Sequence, residues 1–170
     1  NLYSTEEKNE KLKVVRSFIK RIKPNTLIDL GCNDGFYSFE SLESGCKYIV
    51  GLDIDTNSVD LAFKNSFKKN NNFLPLYFDA SNPSVNLGWN ENERYSFKSR
   101  MKFNSLLALA FEHHLAIAKN IPLKEVVSWI MNIAPLGLIE FVDKNDKTIQ
   151  QMLSLKGDIF PDYNEENFKK

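Results

Sequence analysis

The stretch Leu27-Ile28-Asp29-Leu30-Gly31-Cys32-Asn33-Asp34-Gly35 constrains the fold of this chain more than any other part of it. A short apolar strand, Thr26 to Leu30, runs straight into a turn carrying two glycines, and a helix opens directly behind at Phe36. Gly31 and Gly35 allow a sharp turn and a close approach to a ligand, with a helix N-terminus behind them. A second apolar strand, Tyr48 to Leu52, closes on Asp53, twenty-two residues after Gly31. Nucleoside-binding α/β folds place an acid at that distance because its carboxylate can accept both hydroxyls of a ribose.

The remaining pattern is of the same kind. Ser4-Thr5-Glu6-Glu7 reads as a capping box with Ser4 as N-cap, followed by Leu12, Val15, Phe18, Ile19 and Ile22 at helical spacing up to Pro24. A helix is expected from Phe36 to Ser44, ended by Gly45, and another from Asn57 or Ser58 to the lysines near 68, with Asp55 as its entry residue. Phe73 to Phe78 reads as a third strand with Asp79 just past it. Ala80 to Lys102 reads as a long irregular connection, and the run Asn70-Asn71-Asn72 as a polar loop. Phe103 to Ala110 is expected as a buried fourth strand, although its periodicity also allows a helix. A helix after Pro122, a fifth strand from Leu136 to Val142 and a helix from Thr148 to Leu155 complete the order. Strands alternating with helices imply an α/β, doubly wound, mostly parallel sheet with helices on both faces. With 170 residues and no repeat or linker, residues 1–170 are expected to form one domain.

Composition narrows the function. Twenty-two Lys+Arg balance twenty-two Asp+Glu, so tight non-specific binding to nucleic acid or to an anionic membrane is not expected. No apolar run nears the roughly 20 residues of a membrane span, and no signal peptide is expected. The chain opens on Asn1 rather than Met, which suggests a trimmed or processed terminus. Cys32 and Cys46 fit no zinc spacing and are too few for a disulfide scaffold, so we expect no metal and a reduced, cytoplasmic setting.

The turn is neither a dinucleotide fingerprint nor a P-loop. Asn33 and Phe36 stand where GxGxxG needs glycines, and no Gly-Lys-Ser/Thr follows. Asp29, inside the first strand, offers nothing to a pyrophosphate. A nucleoside-type ligand with positive charge fits better.

These residues resemble the class I, Rossmann-like S-adenosylmethionine-dependent methyltransferases, whose first motif is an apolar strand, an acid, any residue, then Gly-x-Gly-x-Gly. Asp29-Leu30-Gly31-Cys32-Asn33-Asp34-Gly35 matches it except at Asn33, which replaces the middle glycine on the side facing the cofactor's methionine end. The resemblance, over residues 10 to 155, implies S-adenosyl-L-methionine as cofactor, S-adenosyl-L-homocysteine as product and a methyl-transferring enzyme. It implies a cofactor site of Asp29, Gly31, Cys32, Asn33, Gly35, Asp53, Ile54, Asp79 and Ala80, with Asp53 on the ribose and Asp79 on the adenine amino group. Phe111-Glu112-His113-His114-Leu115 resembles the active-site end of the fourth strand, and Ile139-Glu140-Phe141-Val142 the fifth strand. His113-His114-Leu115, Asn120-Ile121-Pro122-Leu123 and Asn82-Pro83 are together similar to a bacterial subgroup with nodulation or surface-glycan associations.

His113 and His114 are the candidate bases, either of which could take a proton from a hydroxyl or amine, with Glu112 behind them as a further candidate. At a strand end, neighbours point in opposite directions, so at most one of the two could readily face the substrate, and either could instead be a core histidine bonded to a loop. The segment holding Trp89, Arg94, Tyr95, Phe97, Lys98, Arg100 and Lys102 could line an anionic site or be a solvated amphipathic stretch. The family sheet has seven strands, and Asp158 to Lys170 is too short and polar to supply its final antiparallel hairpin, so a C-terminally truncated domain is expected. The expected function is methyl transfer to an unidentified acceptor, a small molecule or a glycan-type substrate. The alternatives are an inactive S-adenosylmethionine-binding partner subunit and an NAD-dependent oxidoreductase.

Overall fold

The computed structural model describes residues 5–69 and 72–170. Ser4 of the capping box and the first two asparagines of the polar run lie outside the described residues. The sheet is built from β1 (Thr26–Leu30), β2 (Tyr48–Asp53), β3 (Phe73–Tyr77), β4 (Ser105–Ala108) and β5 (Gly137–Ile139). Its order is β3-β2-β1-β4-β5, and every pairing is parallel. No sixth or seventh strand forms among the described residues.

β1 is central and buried on both faces, which is why it reads as a near-continuous apolar run. Leu27 points to the face covered by α1 (Thr5–Ile22), α2 (Phe36–Glu43) and α3 (Thr56–Lys69), where it meets Val15, Phe18, Ile19, Ile49 and Leu107. Ile28 and Leu30 point to the opposite face, with Leu106 and Ala108. There α5 (Glu112–Ala116), α6 (Leu123–Met131) and α7 (Lys147–Lys156) supply Leu115, Val126, Ile130 and Ile149. β1, β2 and β4 therefore feed two cores by simple alternation. α1 carries Glu6 and Glu7 in its first turn and Lys20 and Arg21 in its last, each sign opposing the helix dipole.

The expected elements are all present, with shifted ends that have local causes. α3 begins at Thr56 because Asp55 accepts the Asn57 N–H at 3.0 Å and the Ser58 hydroxyl at 2.8 Å, making it the expected helix-entry residue. The fourth strand is a strand rather than a helix, but it covers only Ser105–Ala108, since Ala110 turns the chain at φ 50°. The fifth strand stops at Ile139. Glu140 N–H still donates to Ala108 C=O, but Val142 N–H donates instead to the Glu112 carboxylate. The connection from 80 to 102 is irregular except for a short turn at Trp89–Glu91 and α4 (Phe97–Arg100). Phe97 of α4 is core, stacked on Phe78 with ring centroids 4.4 Å apart and facing Trp129 at 6.1 Å.

The polar end of the chain does more than its composition suggests. Tyr163 is 2% exposed and packs on Phe141, whose ring also meets Phe168 of α8 (Glu165–Phe168).

One strand glycine marks a close approach of chain to chain. A Cβ on Gly51 of β2 would lie 2.7 Å from Cys32 Sγ and 2.6 Å from the Phe73 ring. Gly51→Ala is expected to destabilise the domain by about 1–3 kcal/mol through overpacking. Urea unfolding should show this as a lower midpoint with an unchanged slope.

Candidate functional site

The strand order reverses between β1 and β4, so the crevice at their carboxyl ends is where ligands bind in a sheet of this kind. Three pieces of chain meet around it: the glycine turn after β1, Asp53 at the end of β2, and the start of α5 after β4.

The turn is held from below and from the side. Gly31 N–H and Cys32 N–H both donate to Leu52 C=O, at 2.8 and 3.1 Å. Asn33 N–H donates to Asp53 Oδ2 at 2.8 Å, and Asp53 Oδ1 accepts Asp55 N–H at 2.9 Å. Each carboxylate oxygen keeps a second acceptor site, as two ribose hydroxyls would need. Gly31, Asn33 and Gly35 have φ of 73°, 49° and 85°. Asparagine is among the residues that tolerate this left-handed region, so Asn33 preserves the backbone path of the glycine it replaces. Its side-chain oxygen is occupied by the Asp34 N–H at 2.7 Å.

Asp29 lies on the helix-covered side of β1, 3% exposed, and accepts the Ser38 hydroxyl of α2 at 2.6 Å. It braces the turn from behind. Burial pushes its pKa up to about 6; the Ser38 bond opposes this, and the negative charge of Asp53 adds to it. Cys32 is also buried, and burial, with the charges of Asp29 and Asp53, holds its thiol protonated. It is a packing residue and not an activated thiolate.

Ile54, beside Asp53, is 51% exposed. Asp79 follows β3 and accepts both the Ser81 N–H at 2.9 Å and the Ser81 hydroxyl at 2.6 Å through Oδ1. The Ser81 hydroxyl is the main cause holding its pKa low, with Lys119 contributing. A loop-capping role therefore occupies Oδ1. Ala80 is half-buried against the core beside it.

The histidines correct the sequence expectation. They sit in α5, not at a strand end, so the opposite-direction rule does not apply to them. Their rings lie together, centroids 4.2 Å apart and planes at 37°. His113 is buried and His114 exposed at the surface. The pKa of His114 is lowered by desolvation and then by the His113 charge, while Asp53 and Glu112 pull it the other way. His114 is thus a neutral imidazole at pH 7, within the field of Asp53. Phe111, just ahead of α5, lies over the turn: a Cβ on Gly31 would be 3.0 Å from its ring. Glu112 is fully buried, its Oε1 accepting Val142 N–H at 2.8 Å and the Tyr163 hydroxyl at 2.9 Å, so it presents no base to solvent.

The mixed aromatic and cationic segment does not assemble. Trp89 and Tyr95 are exposed, Phe97 is core, and Arg100 donates to Ser84 Oγ at 3.2 Å. Among the described residues no His, Cys, Asp and Glu group could hold a metal, and no helix is long and apolar enough to cross a membrane. Sequence reasoning gave no role to Ser38, Phe111 or Tyr163. Of these only Phe111, in the segment after β4, stood near a motif.

The crystal structure of an S-adenosylmethionine dependent methyltransferase from Mesorhizobium loti superposes with a TM-score of 0.50 over 72% of this chain and 47% of that one, at 14% identity. The chain has the class I S-adenosylmethionine-dependent methyltransferase fold. Among curated proteins it is 51% identical over 168 residues to the nodulation protein NoeA of Rhizobium meliloti, which covers 99% of this chain and 35% of NoeA. It is 30% identical over 63 residues to the ribosomal protein L11 methyltransferase of Colwellia psychrerythraea, 36% of this chain and 22% of that protein. The chain thus spans about a third or less of these two relatives' lengths. No family model matches it.

The raised pKa of Asp29 makes stability depend on pH. Its protonated form is favoured by folding, so its contribution is complete below pH 3.8 and is lost as pH rises through about 6. Asp29→Asn keeps an acceptor for Ser38 and removes this term. Relative to the variant, the parent chain should lose about 2 kcal/mol between pH 4 and pH 7. Parallel urea titrations at both pH values would measure it, and an unchanged difference would show that Asp29 is not the group involved.

Proposed function

We propose that this chain binds S-adenosyl-L-methionine, releases S-adenosyl-L-homocysteine, and forms the cofactor-binding part of a methyltransferase. One observation carries the reading: Asp53, at the switch point of a class I fold, is hydrogen-bonded to the Asn33 N–H of the glycine turn and keeps acceptor capacity on both oxygens. The names of the Mesorhizobium loti structure and of the L11 relative support the same reaction class.

The residues present fit this cofactor. Asp53 would take the ribose hydroxyls, Ile54 would offer apolar surface beside them, and Asp79 would accept from the adenine amino group through its remaining oxygen. The backbone of Gly31, Cys32, Asn33 and Gly35 would face the methionine portion, and the missing Cβ of Gly31 lets the Phe111 ring pack closely over the turn. The charge of Asp53 helps raise the pKa of Asp29, and a cation bound at the turn would oppose that effect. The bound sulfonium would supply an activated methyl group and a neutral leaving group.

The chain's own work is then to align, to dry and to accept a proton. A displacement of this type gains most from holding its partners in line at short range. Phe111 closes the turn side against water. The His113–His114 pair, with His114 outermost and neutral, would receive a proton from an acceptor hydroxyl or amine. We assign the acceptor to small molecules or glycans: the balance of twenty-two basic against twenty-two acidic residues offers nothing to a polyanion.

Thermal-shift titration with S-adenosylmethionine, S-adenosylhomocysteine and NAD tests the reading. Either adenosyl compound at 100 times its dissociation constant should stabilise the chain by about 2.7 kcal/mol. Asp53→Ala should abolish the shift. Stabilisation by NAD alone, or by none of the three, would overturn the assignment.

A further inference from the structure

Two sealed polar atoms face each other without a partner. Glu112 Oε2 and His113 Nδ1 are both buried, have no hydrogen-bond partner, and lie 3.9 Å apart. The rest of the Glu112 carboxylate is fixed: Oε1 accepts Val142 N–H at 2.8 Å, and the Tyr163 hydroxyl lies 2.9 Å from it. That hydroxyl carries one proton and has a second acceptor, Val142 C=O, at 2.7 Å. The N–H of Val142 and the O–H of Tyr163 satisfy Oε1 and the carbonyl, and neither reaches Oε2. A buried carboxylate oxygen and a buried ring nitrogen left bare each cost stability. At 3.9 Å they are too far apart for a hydrogen bond, but a ring proton on Nδ1 would face the carboxylate as a charge–dipole contact and offset part of both costs.

We propose that Glu112 is the positioning residue of the His113–His114 pair: its ionised carboxylate holds the ring proton on His113 Nδ1, leaves the Nε2 lone pair free, and gives the pair a buried counter-charge. The pair then accepts a proton more readily than two isolated stacked imidazoles would. The proton balance is closed. One proton leaves the acceptor's hydroxyl or amine for an imidazole nitrogen of the pair. The acceptor's lone pair forms the bond to the methyl carbon, and the electrons of the broken carbon–sulfur bond stay on sulfur. This catalytic consequence rests on the methyl-transfer reading, whereas the proton placement stands without it. The charged and titratable groups facing the pair are Glu112 on α5 and Asp53 at the end of β2, with Tyr163 behind Glu112.

Long-range proton–nitrogen correlation spectra of the 15N-labelled chain read the tautomer directly. In the unmodified protein we expect His113 protonated at Nδ1 when neutral. Glu112→Gln retains an acceptor for Val142 and Tyr163, but its amide donates to Nδ1. The tautomer should therefore switch to Nε2–H, and the first protonation of the pair should move down by about one pH unit. Tyr163→Phe leaves the carboxylate in place and should leave the tautomer unchanged while lowering the melting temperature. A merely structural Glu112 predicts no switch and no change of titration in Glu112→Gln, and that result would overturn the proposal. Nε2–H in the unmodified protein would overturn it too, even if the Gln variant does not fold. S-adenosylhomocysteine affinity, measured on the same samples, should be equal in parent and Gln variant. Its absence in the parent would defeat the cofactor reading and leave the tautomer result intact.

Discussion

A central strand buried on both faces has no freedom to choose where it ends, and in this fold the rest of the carboxyl side follows from that. β1 lies between β2 and β4, both parallel to it, with two separate cores pressed on its alternate side chains. The chain leaving Leu30 must therefore turn away within a few residues without clashing with either neighbour. Gly31, Asn33 and Gly35 supply that turn with three positive φ angles, and Leu52 C=O and Asp53 anchor it to β2. Because the neighbours are parallel, the ends of β2 and β4 arrive at the same level. Asp53 and the start of α5 are delivered to the turn by the sheet itself.

This arrangement keeps two carboxylates under conditions that a purely structural core would avoid. Asp29 faces a helix with one hydroxyl as partner, and ionising it in the folded chain rather than the unfolded one costs a sizeable part of a domain's total stability. Glu112 is more deeply buried, yet it is bound by a backbone N–H and lies against a tyrosine hydroxyl. Their neighbourhoods differ in kind. Asp29 shares its field with Asp53 and sits one layer behind a turn that a cation would approach, whereas Glu112 has a stacked pair of imidazoles in front of it.

The sequence made the cofactor side of this geometry legible because it is local. Residues 26–35 hold a strand, a turn and a helix start in ten positions, and Asp53 and Asp79 close the next two strands at spacings that backbone geometry dictates. Even the departure at Asn33 was readable in principle, since asparagine tolerates the left-handed region. The other side was not legible in the same way. The residues from Phe103 to Ala110 are apolar enough for a longer strand, and only the turn at Ala110 shows that the histidines begin a helix. Glu112 looked like a reserve base because sequence shows its chemistry and not its burial. Its partners, Val142 and Tyr163, are 30 and 51 residues away, the second in a tail whose composition looks polar.

That contrast between local and distant construction suggests how a domain like this divides its specificity. The half of the crevice made by β1 and β2 rests on a strand packed on both faces and on a carboxylate already bonded to the turn. The half made by α5 depends on contacts from the loop after β5 and from the C-terminal segment, which can move or be replaced without disturbing the central strands. Phe141 shows the coupling: its ring meets both Tyr163 and Phe168, so a shift of the tail reaches Glu112 through the tyrosine and the histidine pair through Glu112. A change in the tail can therefore reach the histidine pair without touching the glycine turn or Asp53.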